Sequence, residues 1–246
     1  MSAASDKFEN DVAKNINKLP GIKAIRPKVS TEYSDVKIEI DKFKGDNAIW
    51  LEVKMSHTDN LSNPRVFYDH GKWQTTYKTP AAKHTVDILN RSTQAKAFIK
   101  AIAKFSGIPE KSIKIPTTKS GLKEPGAVPL KVMKDFFSQP NINRYIANEE
   151  NYNLGDVVTE HYTIGKAKPA YYMQAGDDFY MVSKKNPLKI KGIPVLDGFG
   201  DFKVRVATRS EFYEVQAEIK IKKMPKSNFS VAPGTTKENP FMNMKK

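Results

Sequence analysis

Two short runs of alternating apolar and polar residues, 35–40 and 48–55, place the strongest local constraint on this chain. A period of two describes a strand with one face in a core and the other turned outward. The segment between them, Lys42-Phe-Lys-Gly-Asp-Asn47, has hairpin turn chemistry. An antiparallel pair closed near residue 45 brings Asp35, at the start of the first run, to Glu52 and Lys54 in the second. Glu52 and Lys54 share the face opposite Ile49, Leu51, Val53 and Met55. Two carboxylates and an ammonium on adjacent strands can hold a divalent cation and set a lysine beside a phosphate.

The flanking sequence reads as helix, strand, strand, strand. Residues 6–19 form an amphipathic helix with Phe8, Val12, Ile16 and Leu19 on one face, Ser5 or Asp6 as its cap and Pro20-Gly21 as its stop. Ile22–Val29 is strand-like, residues 56–80 are polar and irregular, and a helix runs from about 93 to 106. That helix is capped by Ser92 or Thr93, carries Ala95, Phe98, Ile99, Ile102 and Phe105 as its stripe, and ends at Gly107. Residues 115–129, rich in Pro, Gly, Ser, Thr and Lys, read as a long loop or boundary. Short helices are expected at Leu130–Ser138 and near Ile142–Glu149. From 156 onward the pattern is β, with strands at 178–183, 202–208 and 212–222, and the last twenty residues lack periodicity.

The chain has 246 residues, with 41 Lys+Arg against 27 Asp+Glu and a net charge of +14. That surplus favours a polyanionic partner through counterion release, and the excess of lysine over arginine suits tracking of a phosphate backbone better than reading of base edges. The absence of cysteine excludes disulfides, thiolate zinc sites and a cysteine nucleophile. The N-terminus has no apolar signal core and no run reaches membrane-spanning length, so the expectation is a cytoplasmic protein that meets no membrane.

Ser34-Asp35, Glu52-Val53-Lys54 and the opening element order resemble the PD-(D/E)XK nuclease superfamily, which includes restriction enzymes, junction resolvases and many phage nucleases. The resemblance covers about residues 5–105. Its first motif is usually Pro-Asp, where this chain has Ser-Asp. It implies an α/β (α+β) fold: a restriction-endonuclease-like core with a mixed central sheet flanked by helices, followed here by a β-rich C-terminal region. The implied activity is Mg²⁺-dependent (or Mn²⁺-dependent) endonucleolytic hydrolysis of phosphodiester bonds in DNA. Asp35 and Glu52 would bind the metal, Lys54 would assist attack, and Glu9 stands where many members carry a supporting acid on the first helix. Gln74-Thr-Thr-Tyr77 is one residue short of a Gln-x-x-x-Tyr motif found in some members. The make-up is like that of phage-encoded nucleases, for which the compartment would be the host cytoplasm, and members that cut both strands often act as homodimers. The competing readings are an inactive DNA-binding or replication-associated protein on the same fold, and a basic structural or assembly protein.

The corresponding division is a nuclease core at 1–114, a linker with short helices at 115–155, a β-rich region for substrate positioning or self-association at 156–226, and a mobile tail at 227–246. Candidate DNA contacts are Lys37, Arg65, Lys72, Gln74, Lys184 and Lys185, with further lysines at 189, 191, 220, 222, 223 and 226. Trp73 and Tyr77 can stack on a base or pack beneath the loop. A second cluster, Asp201 with Glu218-Ile219-Lys220, repeats the spacing of the first. It lies on a strand with clean alternation from Tyr213 to Lys222, which reads as structural, with one face in water. His57 and His70 lie close in sequence to the first cluster, but no histidine has zinc-site spacing.

Overall fold

A computed structural model describes residues 3–27, 34–40, 43–57, 60, 64–164, 167–196, 198–222, 224–242 and 244. The chain divides into two compact units that interleave along the sequence. The first comprises residues 1–59, 153–199 and 221–246, and the second comprises 60–152 and 200–220. The boundary expected at 114 therefore falls inside the second unit.

The first unit is built on a mixed five-stranded sheet. Helix α1 (Ala3–Ile16) leads into β1 (Ile22–Ile25), β2 (Val36–Ile40) and β3 (Ile49–Lys54). The expected strand Ile22–Val29 ends at Ile25, with Arg26 and Pro27 beyond it; residues 28 and 29, like Lys42 and Lys223, lie outside the described residues. The chain returns through α5 (Leu154–Thr163) to β7 (Ala170–Ala175) and β8 (Asp178–Met181), giving the strand order β1-β2-β3-β7-β8. All neighbours are antiparallel except β3 and β7, which run parallel. A parallel pair needs a long crossover, and α5 closes it. The unit is an α+β arrangement built on a mixed sheet.

Alternation sorts the sheet into two faces. Val36, Ile38, Ile40, Leu51, Val53, Tyr172 and Phe179 form one core with Val12 and Ile16 of α1. Asp35, Glu52 and Lys54 take the opposite face. The C-terminal segment belongs to that core, contrary to the mobile tail expected from its lack of periodicity. Val231 and Phe241 are fully buried, Gln174 Oε1 accepts from the Val231 N–H at 2.8 Å, and the Asn15 amide donates to the carbonyls of Val231 and Ala232. A few well-placed apolar anchors and borrowed polar partners fasten an extended segment without any repeat.

The second unit carries the sheet β5-β4-β10-β9-β6, made of β4 (Arg65–Asp69), β5 (Lys72–Gln74), β6 (Tyr145–Asn153), β9 (Phe199–Thr208) and β10 (Tyr213–Ile221). The segment read as irregular contains the β4–β5 hairpin. His70 and Gly71 both take positive φ, 50° and 77°, as a two-residue type I′ turn requires, and the Asp69 carboxylate accepts from the His70 N–H at 2.9 Å. The helix expected near 142–149 is strand β6 instead. Ile146 and Ala147 are buried there, while Asn148, Glu149 and Glu150 lack the apolar spacing a helix needs. The stretch after 115 is tied by bridges from Ile115 to Tyr68 and from Lys114 to Ala127, so it is no free linker.

Three helices accompany this sheet: α2 (Pro80–Arg91), α3 (Thr93–Ser106) and α4 (Leu130–Phe136). Phe98 of α3 stacks on Phe137 just past α4, with Phe136 edge-on to both. The ends of α3 are those expected: the Ser92 hydroxyl accepts from the Ala95 N–H at 3.2 Å, and Gly107 closes the helix at φ 72°. Ser92→Ala should cost about 1 kcal/mol of stability, a typical value for losing such a cap. Thermal or urea unfolding of the variant measures it.

Candidate active site

Antiparallel pairing sets Val36 opposite Leu51, and therefore Asp35 beside Glu52 and Val53. The Val53 N–H donates to Asp35 Oδ2 at 2.8 Å, fixing the carboxyl at the strand edge. Lys54 Nζ lies 2.7 Å from Glu52 Oε1, an ion pair between side chains two apart on one strand. Glu52 is buried, and the Lys54 side chain keeps 20% of its surface exposed. The three residues picked from the sequence thus meet on one face, at the C-terminal end of β3.

The electrostatics follow from burial and proximity. Burial first, then the charge of Glu52, pushes the Asp35 carboxyl up to about 7; Lys54 and the Val53 N–H pull against this, and Glu9 adds to the rise. Burial alone would lower the Lys54 ammonium. The charges of Glu52, Tyr162 and Asp35, with the bond to Glu52, overcome it and hold Lys54 well above the usual lysine value. Lys54 is a permanent cation at neutral pH and cannot serve as a base.

Tyr162 is the site residue that sequence reasoning missed. It is 1% exposed on α5, and its hydroxyl is raised by burial, then by Glu52, with Lys54 and its hydrogen bond pulling the other way. The helix itself was read as the onset of β structure because Val157, Val158 and Thr159 are β-branched. The usable signal was Leu154, Val157, Val158 and Tyr162, the apolar stripe of a helix, after the Asn153 cap that accepts from the Gly155 N–H.

Glu9 is 3% exposed, and its oxygens are taken by the Ser5 hydroxyl at 3.0 Å and by Arg26 Nε at 2.7 Å. Arg26 also reaches Asp6 at 2.6 Å. Glu9 therefore acts on Asp35 through its charge, with its oxygens spent on Ser5 and Arg26.

The donor set fits a magnesium-class cation. Two carboxylates stand side by side, and after burial the charge of Glu52 is the next cause of the rise at Asp35, which a dication would offset. Among the described residues no group of three His, Asp or Glu side chains could cage a metal. Mg²⁺ suits such a site, since it commonly takes one or two carboxylates and fills its octahedron with water and phosphate oxygens. Without metal, Asp35 binds more protons folded than unfolded between its ordinary value of 3.8 and about 7. Stability should therefore fall as pH rises through that window. Added Mg²⁺ should raise the melting temperature more at pH 8 than at pH 5, as thermal unfolding at both pH values can establish.

The candidate DNA contacts are dispersed. Lys37, on the same face as Asp35, pairs with Glu39 at 2.7 Å. Lys184 is exposed, and Lys185 lies over the Tyr171 ring at 4.9 Å in a groove with Trp50 and Lys168. In the second unit Lys72 is exposed, Gln74 donates to the Asp69 carbonyl at 2.9 Å, and Arg65 meets buried Glu214 at 2.9 Å. Trp73 is 3% exposed and edge-on to Tyr68, so it is a core residue.

The look-alike cluster has different surroundings. Glu218 is held by Arg205 at 2.7 Å and by the Tyr145 hydroxyl at 3.0 Å, and Asp201 lies 3.4 Å from Lys203. Its strand does not turn one face to water as expected: Glu214 and Gln216 are buried, with Arg65 and Arg209 neutralising Glu214. Asp201→Ala and Lys220→Ala should leave any chemical step within about two-fold of the parent, because neither side chain belongs to the Asp35–Glu52–Lys54 trio. Single-turnover cleavage rates provide the check.

No protein-family model matches the chain, and no curated protein does. Among solved structures, the chain is similar to the HhaI endonuclease in complex with DNA. That similarity has 12% identity over 91% of this chain and 88% of that one, with a TM-score of 0.28. The likeness is loose, and the functional reading rests on the residues of this chain.

Proposed function

We propose that the protein is a divalent-metal-dependent endonuclease that hydrolyses phosphodiester bonds in DNA. The observation that carries this reading is the convergence of Asp35, Glu52 and Lys54 on one sheet face, with Lys54 held protonated by buried Glu52. Bound by Asp35 and Glu52, Mg²⁺ or Mn²⁺ supplies charge neutralisation at the attacked phosphate and a more acidic water. Asp35 would hold the cation as a carboxylate, its proton released to solvent. Lys54 then donates to a phosphate oxygen, where negative charge grows as the phosphorus becomes five-coordinate. Val53 holds the Asp35 carboxyl in place, and Tyr162 and Glu9 act as positioning residues around the charged trio. The net charge of +14 suits a phosphate-backbone substrate. Among the described residues no helix is long and apolar enough to cross a membrane. In this account the protein works in the cytoplasm and can pair into a homodimer to cut both strands.

The test compares supercoiled, linear and branched DNA in Mg²⁺, in Ca²⁺ and in excess EDTA. Mg²⁺ should support cutting. Ca²⁺, with its looser coordination, should support binding without cutting. DNA binding with no cleavage in any metal would mark the protein as an inactive member of the same fold.

A further inference from the structure

Beyond the charged trio, the same end of the sheet holds a second built group. His57 Nε2 lies 2.7 Å from Asp178 Oδ2. The other oxygen of Asp178 accepts from the Ser227 N–H at 2.8 Å and from Lys237 Nζ at 2.7 Å. One oxygen thus fastens the C-terminal segment, and the other meets the histidine. Burial would raise the Asp178 carboxyl, yet the bonds from Lys237, Ser227 and His57 hold it below the ordinary range, so it is an ionised acceptor and Nε2 carries a proton.

The seat of the ring is equally specific. Gly176 has φ +56°, and a Cβ there would stand 3.0 Å from Cε1 and Nδ1 of His57. A side chain would therefore crowd the imidazole as well as strain the backbone. Tyr180 meets the ring edge-on at 6.4 Å. Among the described residues nothing bonds Nδ1, and 41% of the His57 side chain is exposed.

Register places this group beside the candidate active site. Lys54 pairs with Ala175 across β3 and β7, and Ala175 pairs with Asp178 across β7 and β8. Lys54, Ala175 and Asp178 form one row on one face, with small Ala175 between the charged residues. Two strand spacings separate Lys54 from Asp178, about 10 Å between Cα atoms. The ring is seated against Asp178 and Gly176, three residues beyond Lys54 in sequence.

We propose that His57, oriented by Asp178, binds a second phosphate of the cut strand, within about three nucleotides of the attacked one, given a rise near 3.4 Å per nucleotide. The assignment rests on the nuclease reading for which phosphate is attacked. No bond is made or broken: the imidazolium donates Nδ1–H to a phosphate oxygen while Nε2–H stays on Asp178. The charged and titratable groups facing the ring are Asp178 and Tyr180, with Asp177 and Lys237 behind Asp178 and Lys54 in the neighbouring row.

The experiment maps the cut position with the parent protein and Mg²⁺. DNA duplexes carrying one uncharged methylphosphonate at successive positions are then titrated into Asp35→Asn protein in EDTA, with and without His57→Gln. A charge-assisted hydrogen bond predicts that one position near the cut lowers affinity about ten-fold. With His57→Gln that position should cease to matter while every other position behaves as before. Asp178→Asn should weaken the same position and leave the others unchanged. Mg²⁺-dependent cutting with no His57-dependent position would overturn this inference alone. Failure of the parent to cut any DNA would overturn the proposed function, and this assignment with it.

Discussion

Asp35→Asn is expected to abolish DNA cleavage while making the metal-free protein more stable. The amide keeps the shape and can still accept from the Val53 N–H, so the strand edge is unchanged. It cannot bind a hard cation as a carboxylate does, and loss of several kcal/mol of charge stabilisation means at least about a thousand-fold slower cutting. In the parent at pH 8, Asp35 is ionised against burial and against Glu52, whereas the amide is neutral. The gain should be about 1–3 kcal/mol at pH 8, smaller at pH 5, and gone only below 3.8, where Asp35 is protonated in the folded and the unfolded chain alike. Mg²⁺ should no longer raise the melting temperature. DNA affinity in EDTA should hold or rise, because one negative charge facing phosphate is gone. Denaturant unfolding at the two pH values and single-turnover cleavage together measure all of this.

Lys54→Met is expected to abolish cleavage for a different reason and at a structural cost. The structural cost arises because Lys54 is the counter-charge of buried Glu52. Breaking a buried pair from one side leaves an uncompensated charge and typically costs about 3–5 kcal/mol. The methionine stem replaces the packing of the lysine stem, so the loss is electrostatic. Two further measurements identify it: the double variant Glu52→Gln/Lys54→Met should recover most of the stability, and Mg²⁺ should partly restore the melting temperature of the single variant without restoring cutting. A Lys54→Met protein as stable as the parent in EDTA would contradict the ion pair described.

The trio was legible in the sequence because each part rests on local rules. A period of two gave the faces of β2 and β3, and turn residues near 45 set their register. Helix α3 was legible for the same reason, with a serine cap, an apolar stripe and a glycine stop. What escaped depends on distant partners. Phe241 and Val231 are core residues only because the first unit leaves a place for them, which no periodicity records. Strand β6 carries an Asn-Glu-Glu run that neither strand nor helix propensity favours, and sheet neighbours decide it. The β-branched residues of α5 pulled against its helical stripe, and packing over β7 overrides them. Tyr162 was lost with that helix. The division into units was hidden because the crossover from β3 to β7 leaves the first unit at residue 59 and returns at 153.

The most direct test of the central claim is a single cleavage assay on supercoiled DNA, run side by side with the parent, Asp35→Asn and Asp201→Ala. The parent and Asp201→Ala should nick or linearise the DNA in Mg²⁺ and leave it intact in excess EDTA, and Asp35→Asn should leave it intact in both. Cutting that survives EDTA, or an active Asp35→Asn protein beside an inactive Asp201→Ala protein, would contradict the account.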